Sequence, residues 1–172
     1  TGLFAWVRRA ERCGQCGGRV QVPNPAPRGA RLAWWCQSCA SQPACHAADV
    51  LRLHACVQTY LQCHLAVDLS AWLMPDEVRL VPADHWPGRP GRVQLGQART
   101  QVRVFGGAGG GRRELAQAEV LLLEGLGFME AAEVLAHEAF HVYSAARGLG
   151  LTPLQEEGTA NLWSYLLLAV HP

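Results

Sequence analysis

Two histidines and a glutamate interrupt a segment that is otherwise apolar: His137-Glu138-Ala139-Phe140-His141, with Val134-Leu-Ala before it and Val142-Tyr143 after. No other stretch constrains the fold as tightly. The periodicity of residues 129–147 predicts a helix, and a helix apolar all round belongs in an interior. Buried imidazole and carboxylate groups need partners there, and a metal is the simplest one. Residues four apart share a helix face, so His137 and His141 can hold one metal ion. Glu138 then stands within reach of water at that metal. A bland alternative exists, a surface helix with two exposed histidines. A random chain of this kind shows the HExxH string roughly once in seventy tries. The apolar flanks favour the metal.

Catalytic zinc usually takes three protein ligands and keeps an open position. The third is expected from a neighbouring element, and Gln155-Glu-Glu-Gly-Thr-Ala-Asn161 offers candidates. Thr152-Pro153-Leu154-Gln155 matches a capping box with Pro at the first helical position, so a second helix should run from there to about residue 169. Acidic residues in its first turn suit the helix dipole. Glu156 and Glu157 point about 100° apart, so one of them should face the metal. Glu157 is the choice, because Gly158 beside it would let the two helices pack closely. Asn161, four residues later, is expected to orient a ligand histidine. The short connection at residues 148–152, with Gly148 as a helix stop, favours an antiparallel pair.

Seven cysteines are present, an odd number. Four form two pairs, Cys13/Cys16 and Cys36/Cys39, in the pattern C-x2-C-x19-C-x2-C. That spacing reads as a four-thiolate structural zinc site rather than a disulfide framework, and implies a reducing, cytoplasmic setting. Its closed shell leaves no position for substrate. The expected organisation is a zinc module over residues 1–45 and a second domain over residues 46–172. Cys45, Cys56 and Cys63 are scattered. With His46, His54 and His64 they could suggest another metal site, but no standard spacing fits, and buried Cys is usually a small core residue.

Between these landmarks, residues 47–67 read as a helix, with Val50, Leu53, Val57, Leu61 and Leu65 at spacings of three and four. Residues 77–81 alternate and read as a strand ended by Pro82. Residues 93–95 and 101–105 read as two more strands, residues 106–111 as a glycine-rich connection, and residues 114–123 as a helix. The glycine run lacks the Lys-Ser/Thr ending of a phosphate loop. The fold class is therefore α+β: a metal-bearing helix packed on a glutamate-bearing helix, with a small antiparallel or mixed sheet.

Charge argues against a dedicated nucleic-acid binder, since 15 basic and 14 acidic residues leave a net charge of +1. All the basic residues are Arg, which reads as coding bias. No run approaches the roughly 18 apolar residues of a membrane span. Residues 1–7 are mildly apolar but are followed by Arg8 and Arg9, the reverse of a secretory leader's order.

The stretches Val120-Leu-Leu-Leu-Glu-Gly-Leu-Gly, Val134-Leu-Ala-His-Glu-Ala-Phe-His-Val-Tyr and Leu154-Gln-Glu-Glu-Gly-Thr-Ala-Asn-Leu-Trp together resemble the gluzincin type of zinc metallopeptidase. More narrowly they resemble the catalytic domain of the plant organ-size-regulating DA-one family, the ubiquitin-activated LIM-domain peptidases. The order, cysteine module before peptidase core, is similar too. The chain would be a minimal or truncated member, because one four-cysteine site is legible where a complete LIM domain binds two zincs. The resemblance implies a zincin-like core and a zinc ion on His137, His141 and Glu157. It also implies Glu138 as the catalytic carboxylate, cleavage of protein substrates, and ubiquitin or a ubiquitin-like protein as partner. Tyr165, Tyr143 and His85 are candidate donors to the oxyanion. Two other readings compete: a non-catalytic zinc adaptor, and a DNA-associated HExxH peptidase, which would want a third histidine and a basic surface.

Overall fold

The computed structural model describes residues 45–86, 94–105 and 112–170. Cys13, Cys16, Cys36 and Cys39, and with them the zinc module and the glycine-rich connection, lie outside the described residues. A short 3-10 turn (Ala47–Asp49) leads into α1 (Val50–Leu65); a second 3-10 turn (Pro75–Glu77) leads into β1 (Val78–Val81). The strands β2 (Gly96–Phe105) and β3 (Arg112–Leu123) follow, then α2 (Phe128–Arg147) and α3 (Pro153–Val170). The architecture is mixed α+β, and the sheet is three-stranded in the order β1-β3-β2. β1 runs parallel to β3, and β2 runs antiparallel to it.

The expected helix at residues 114–123 is instead most of β3. A short apolar run bounded by glycine fits a buried helix or a buried strand equally well, and tertiary pairing decides. Here Val120, Leu121, Leu122 and Leu123 pair with β1 on one side, and all four are buried. The central strand of a covered sheet tolerates such a continuous apolar run. The strand expected at residues 101–105 is present as the second half of the longer β2; residues 94 and 95 lie just before that strand, and residue 93 is outside the described residues. The register of β2 with β3 slips between Gln101 and Val102, leaving Ala116 as an extra residue on β3. On the sheet surface the Glu119 carboxylate of β3 reaches both neighbours, Arg79 Nε at 3.2 Å and Arg99 Nη1 at 3.6 Å.

The periodic residues of α1 do what their spacing predicts: Leu53, Val57 and Leu61 are buried, and Leu65 packs against the core. His54 is buried too, with its Nε2 2.8 Å from the Leu73 carbonyl, so it ties the chain after α1 back onto the helix. Cys45 is a core residue; Cys45, Cys56 and Cys63 are free thiols. α2 is the central element and packs on α1, α3, β2 and β3. It ends at Gly148, whose φ of 60° is the left-handed conformation that stops a helix cheaply. α3 begins with the expected capping box. The Thr152 amide donates to Gln155 Oε1 at 3.0 Å, and the Gln155 amide donates to Thr152 Oγ1 at 3.4 Å. Among the described residues no helix is long and apolar enough to cross a membrane.

One expectation about this helix pair fails. Gly158 is exposed, and a Cβ built on it meets nothing within 4 Å. Close approach of α2 and α3 does not depend on it. The seam is instead filled by Phe140, Tyr143 and Trp163, while Gly158 sits on the outer face with the conformational cost of a helical glycine. Replacing Gly158 by Ala should therefore stabilise the protein by about 0.5–1 kcal/mol. Urea unfolding followed by circular dichroism checks this, and a lower midpoint for the variant would return Gly158 to the interface.

Candidate metal centre

The site is built by the hairpin of α2 and α3. His137 and His141, one turn apart on α2, present their Nε2 atoms 3.3 Å from each other. α3 returns alongside, so its first turns lie beside the last turns of α2. That brings Glu157 Oε2 to 3.5 Å from His137 Nε2, and Glu157 Oε1 to 3.7 Å from His141 Nε2. Among the described residues these three form the only group of three or more His, Cys, Asp or Glu side chains gathered closely enough to hold a metal ion.

The spacing can be tested against zinc. With bonds of about 2.0–2.1 Å and tetrahedral angles, neighbouring donor atoms should lie about 3.3 Å apart. The two imidazole nitrogens, at 3.3 Å, stand at that edge length, and each has one of the two Glu157 oxygens within 3.5–3.7 Å; taking one donor atom from each residue, all three lie within 4.8 Å of one another. Two nitrogens and one carboxylate are also a donor set that zinc accepts. His137 is held below its ordinary pKa, first by burial and then by the nearby His141; Glu157 and Asn161 pull the other way. The balance favours the neutral imidazole, the form that binds a metal.

Both histidines have a second neighbour. Asn161 lies near enough to the His137 side chain to raise its pKa. His141 Nδ1 lies 3.3 Å from Glu156 Oε1. The latter contact was not foreseen. The divergence of adjacent helix residues lets Glu157 meet both imidazoles from one side while Glu156 takes His141 from the other. A carboxylate on the far nitrogen fixes the tautomer and raises the basicity of the ligand.

Glu138 lies between the hairpin and the sheet, close enough to His141 and Glu157 to feel their charge. It is buried, and its Oε2 accepts a hydrogen bond from the Ala98 amide of β2 at 2.7 Å. Burial pushes its carboxyl pKa up, the Ala98 bond and His141 oppose that, and Glu157 adds to it. A carboxylate with a raised pKa is a better proton acceptor near neutral pH. A backbone donor has no signature in a sequence, so this partner could not be read there.

The candidate oxyanion donors are scattered. Tyr165 is exposed on α3, two turns beyond Glu157. The Tyr143 ring packs among Trp72, Phe140 and Trp163, and His85 Nδ1 sits 3.2 Å from Asp84 on an exposed turn. Beside the cluster runs an open groove of about 400 Å³, lined in part by Val102, Val104, Arg113, Leu149, Leu151 and Glu156.

Compared with protein-family models, curated proteins and solved structures, the chain matches none of them. The site therefore stands on its own geometry. Glu157→Ala should lower the zinc content of purified protein by one equivalent. Glu156→Ala should keep the stoichiometry and weaken zinc about 10–100-fold, since its carboxylate only orients a ligand. Elemental analysis and chelator competition measure the two effects, and an undiminished zinc content in Glu157→Ala would remove that residue from the centre.

Proposed function

We propose that this chain is a zinc-dependent endopeptidase of the gluzincin type, with a zincin-like core formed by α2, α3 and the small sheet. One observation carries the reading: a His-His-Glu cluster gathered closely enough to hold a metal ion, near a buried carboxylate that is held by a strand amide. His137, His141 and Glu157 would hold the ion. Zinc bound by such a set supplies Lewis-acid polarisation of a carbonyl and acidifies water.

The chain's own residues supply the rest. Glu138 accepts the proton of the attacking water and passes it to the leaving amine, a role suited to a carboxylate whose pKa burial has raised. Glu156 and Asn161 hold the two imidazoles in orientation. β2 lies at the edge of the sheet, among the described residues, and its register leaves the Thr100 amide and carbonyl directed away from β3. An extended peptide can pair with such an edge, its side chains reaching the neighbouring groove.

A structural zinc on Cys13, Cys16, Cys36 and Cys39, a reducing cytoplasmic setting, and a ubiquitin or ubiquitin-like partner belong to the same proposal. The first two rest on cysteine spacing and the third on the resemblance alone.

The test is Glu138→Gln, which should retain both zinc equivalents and lose about 10²–10⁴-fold in kcat on an unfolded protein substrate such as casein. A variant that cuts casein at the wild-type rate would end the peptidase reading. A wild type that binds zinc yet cleaves nothing would favour the adaptor.

A further inference from the structure

The Glu138 contact poses a question of space. β2 and β3 are antiparallel, and the Leu123 amide donates to the Leu95 carbonyl at 2.8 Å. In such a ladder every second residue turns both backbone groups to its partner, and the residues between turn them away. Leu95, Gln97 and Arg99 therefore face β3, while Gly96, Ala98 and Thr100 face the open edge. The Ala98 amide is thus a spare edge donor, and the α2 carboxylate takes it up at 2.7 Å.

That bond holds β2 against the side chains of α2, and Gly96 lies in tight contact with them. A Cβ at this position would stand 2.7 Å from Glu138 Cγ and 2.8 Å from Glu138 Oε1, and closer still to Val134 Cγ1. Real Cβ atoms essentially never come within 3.0 Å of such neighbours. Conformation is not the reason for glycine. The positive-φ glycines of the described residues are Gly125, Gly148 and Gly150, so the backbone of Gly96 would accept any residue. Space alone excludes a side chain, and two of the three atoms in the way belong to Glu138 itself.

We infer that Gly96 is a positioning residue: its missing side chain lets the Ala98 amide hold the Glu138 carboxylate in the orientation that proton transfer requires. The inference rests on the reading of Glu138 as the proton carrier. Gly96 touches no reacting atom. It acts through Ala98 and Glu138, keeping one carboxylate oxygen bonded and the space beside the other clear.

A purely structural glycine would give a different result, and Val134 separates the two. In Gly96→Ala the new methyl collides with both Val134 and Glu138. In Gly96→Ala/Val134→Ala the first collision is relieved and the second remains. The full chain loaded with zinc is compared as wild type, Val134→Ala, Gly96→Ala and the double variant. The readouts are thermal midpoint, zinc content, kcat and KM on casein, and hydrogen-exchange protection of the Ala98 amide. The double variant should recover most of the midpoint lost in Gly96→Ala, the Glu138 side chain turning aside from the methyl, and bind full zinc. Its kcat should still fall about 10–100-fold at nearly constant KM, as expected for a group displaced by a fraction of an ångström. Its Ala98 amide should lose protection. Wild-type kcat in the double variant would overturn the inference, and so would a lost kcat with the amide still protected. A zinc-loaded wild type that cleaves nothing would fail at an earlier step, and would sink the peptidase reading and this inference together.

Discussion

Phe140 of α2 meets Trp163 of α3 edge to face, with ring centroids 5.1 Å apart, and Tyr143 closes on the same indole at 5.4 Å. This aromatic seam sets the distance and rotation between the two helices, and the metal centre inherits both. Tyr60 of α1 adds a strut by donating its hydroxyl to the Trp163 carbonyl at 3.1 Å. The donor atoms need little adjustment of their own. His137 and His141 lie on the α2 face beside Phe140, Glu157 lies just over a turn before Trp163's own stripe, and the apolar contact has already fixed where the helices run. Large aromatic side chains suit this task, because they bury much area with few rotatable bonds.

Burial then gives the polar groups their chemistry. Glu138 would gain little by sitting in water, where a carboxylate is a weak base. In the wedge between α2 and β2 it loses solvation, which favours the protonated form, while a single amide bond keeps it anchored. His137 is pushed in the complementary direction, toward the neutral ligand form. Desolvation thus shifts two neighbouring residues of one helix in complementary directions, the carboxyl up and the imidazole down.

How far the sequence could be read depended on the range of the interaction. The helical spacing of His137 and His141, the capping box at Thr152 and the left-handed stop at Gly148 are local, and each was legible in a few consecutive residues. Helix geometry leaves Glu156 and Glu157 equally open; the choice of Glu157 leans on Gly158, a reason the fold does not support, and Asn161 follows from it by helical spacing. β3 was misread as a helix, because its Val120-Leu-Leu-Leu run has no period and only pairing to β1 and β2 decides its form. The approach of β2 to Glu138 spans 40 positions in sequence and uses a main-chain donor, so no side chain announced it. Gly158 was assigned to the helix interface from its small size, yet the seam is made by large residues. Gly96, which does permit a close contact, drew no notice in a glycine-rich chain.

The Glu119 carboxylate has a further consequence for the sheet. It is a hub on the central strand, with Arg79 of β1 on one oxygen and Arg99 of β2 on the other. Such a hub is asymmetric. Losing either arginine leaves an ordinary exposed ion pair, which is worth little. Losing the acid leaves two permanent cations on either side of one strand, with only solvent to screen their repulsion. Guanidinium groups stay charged, but both side chains are largely exposed, so they would swing apart into solvent and leave the outer strands without their shared polar tie across the sheet.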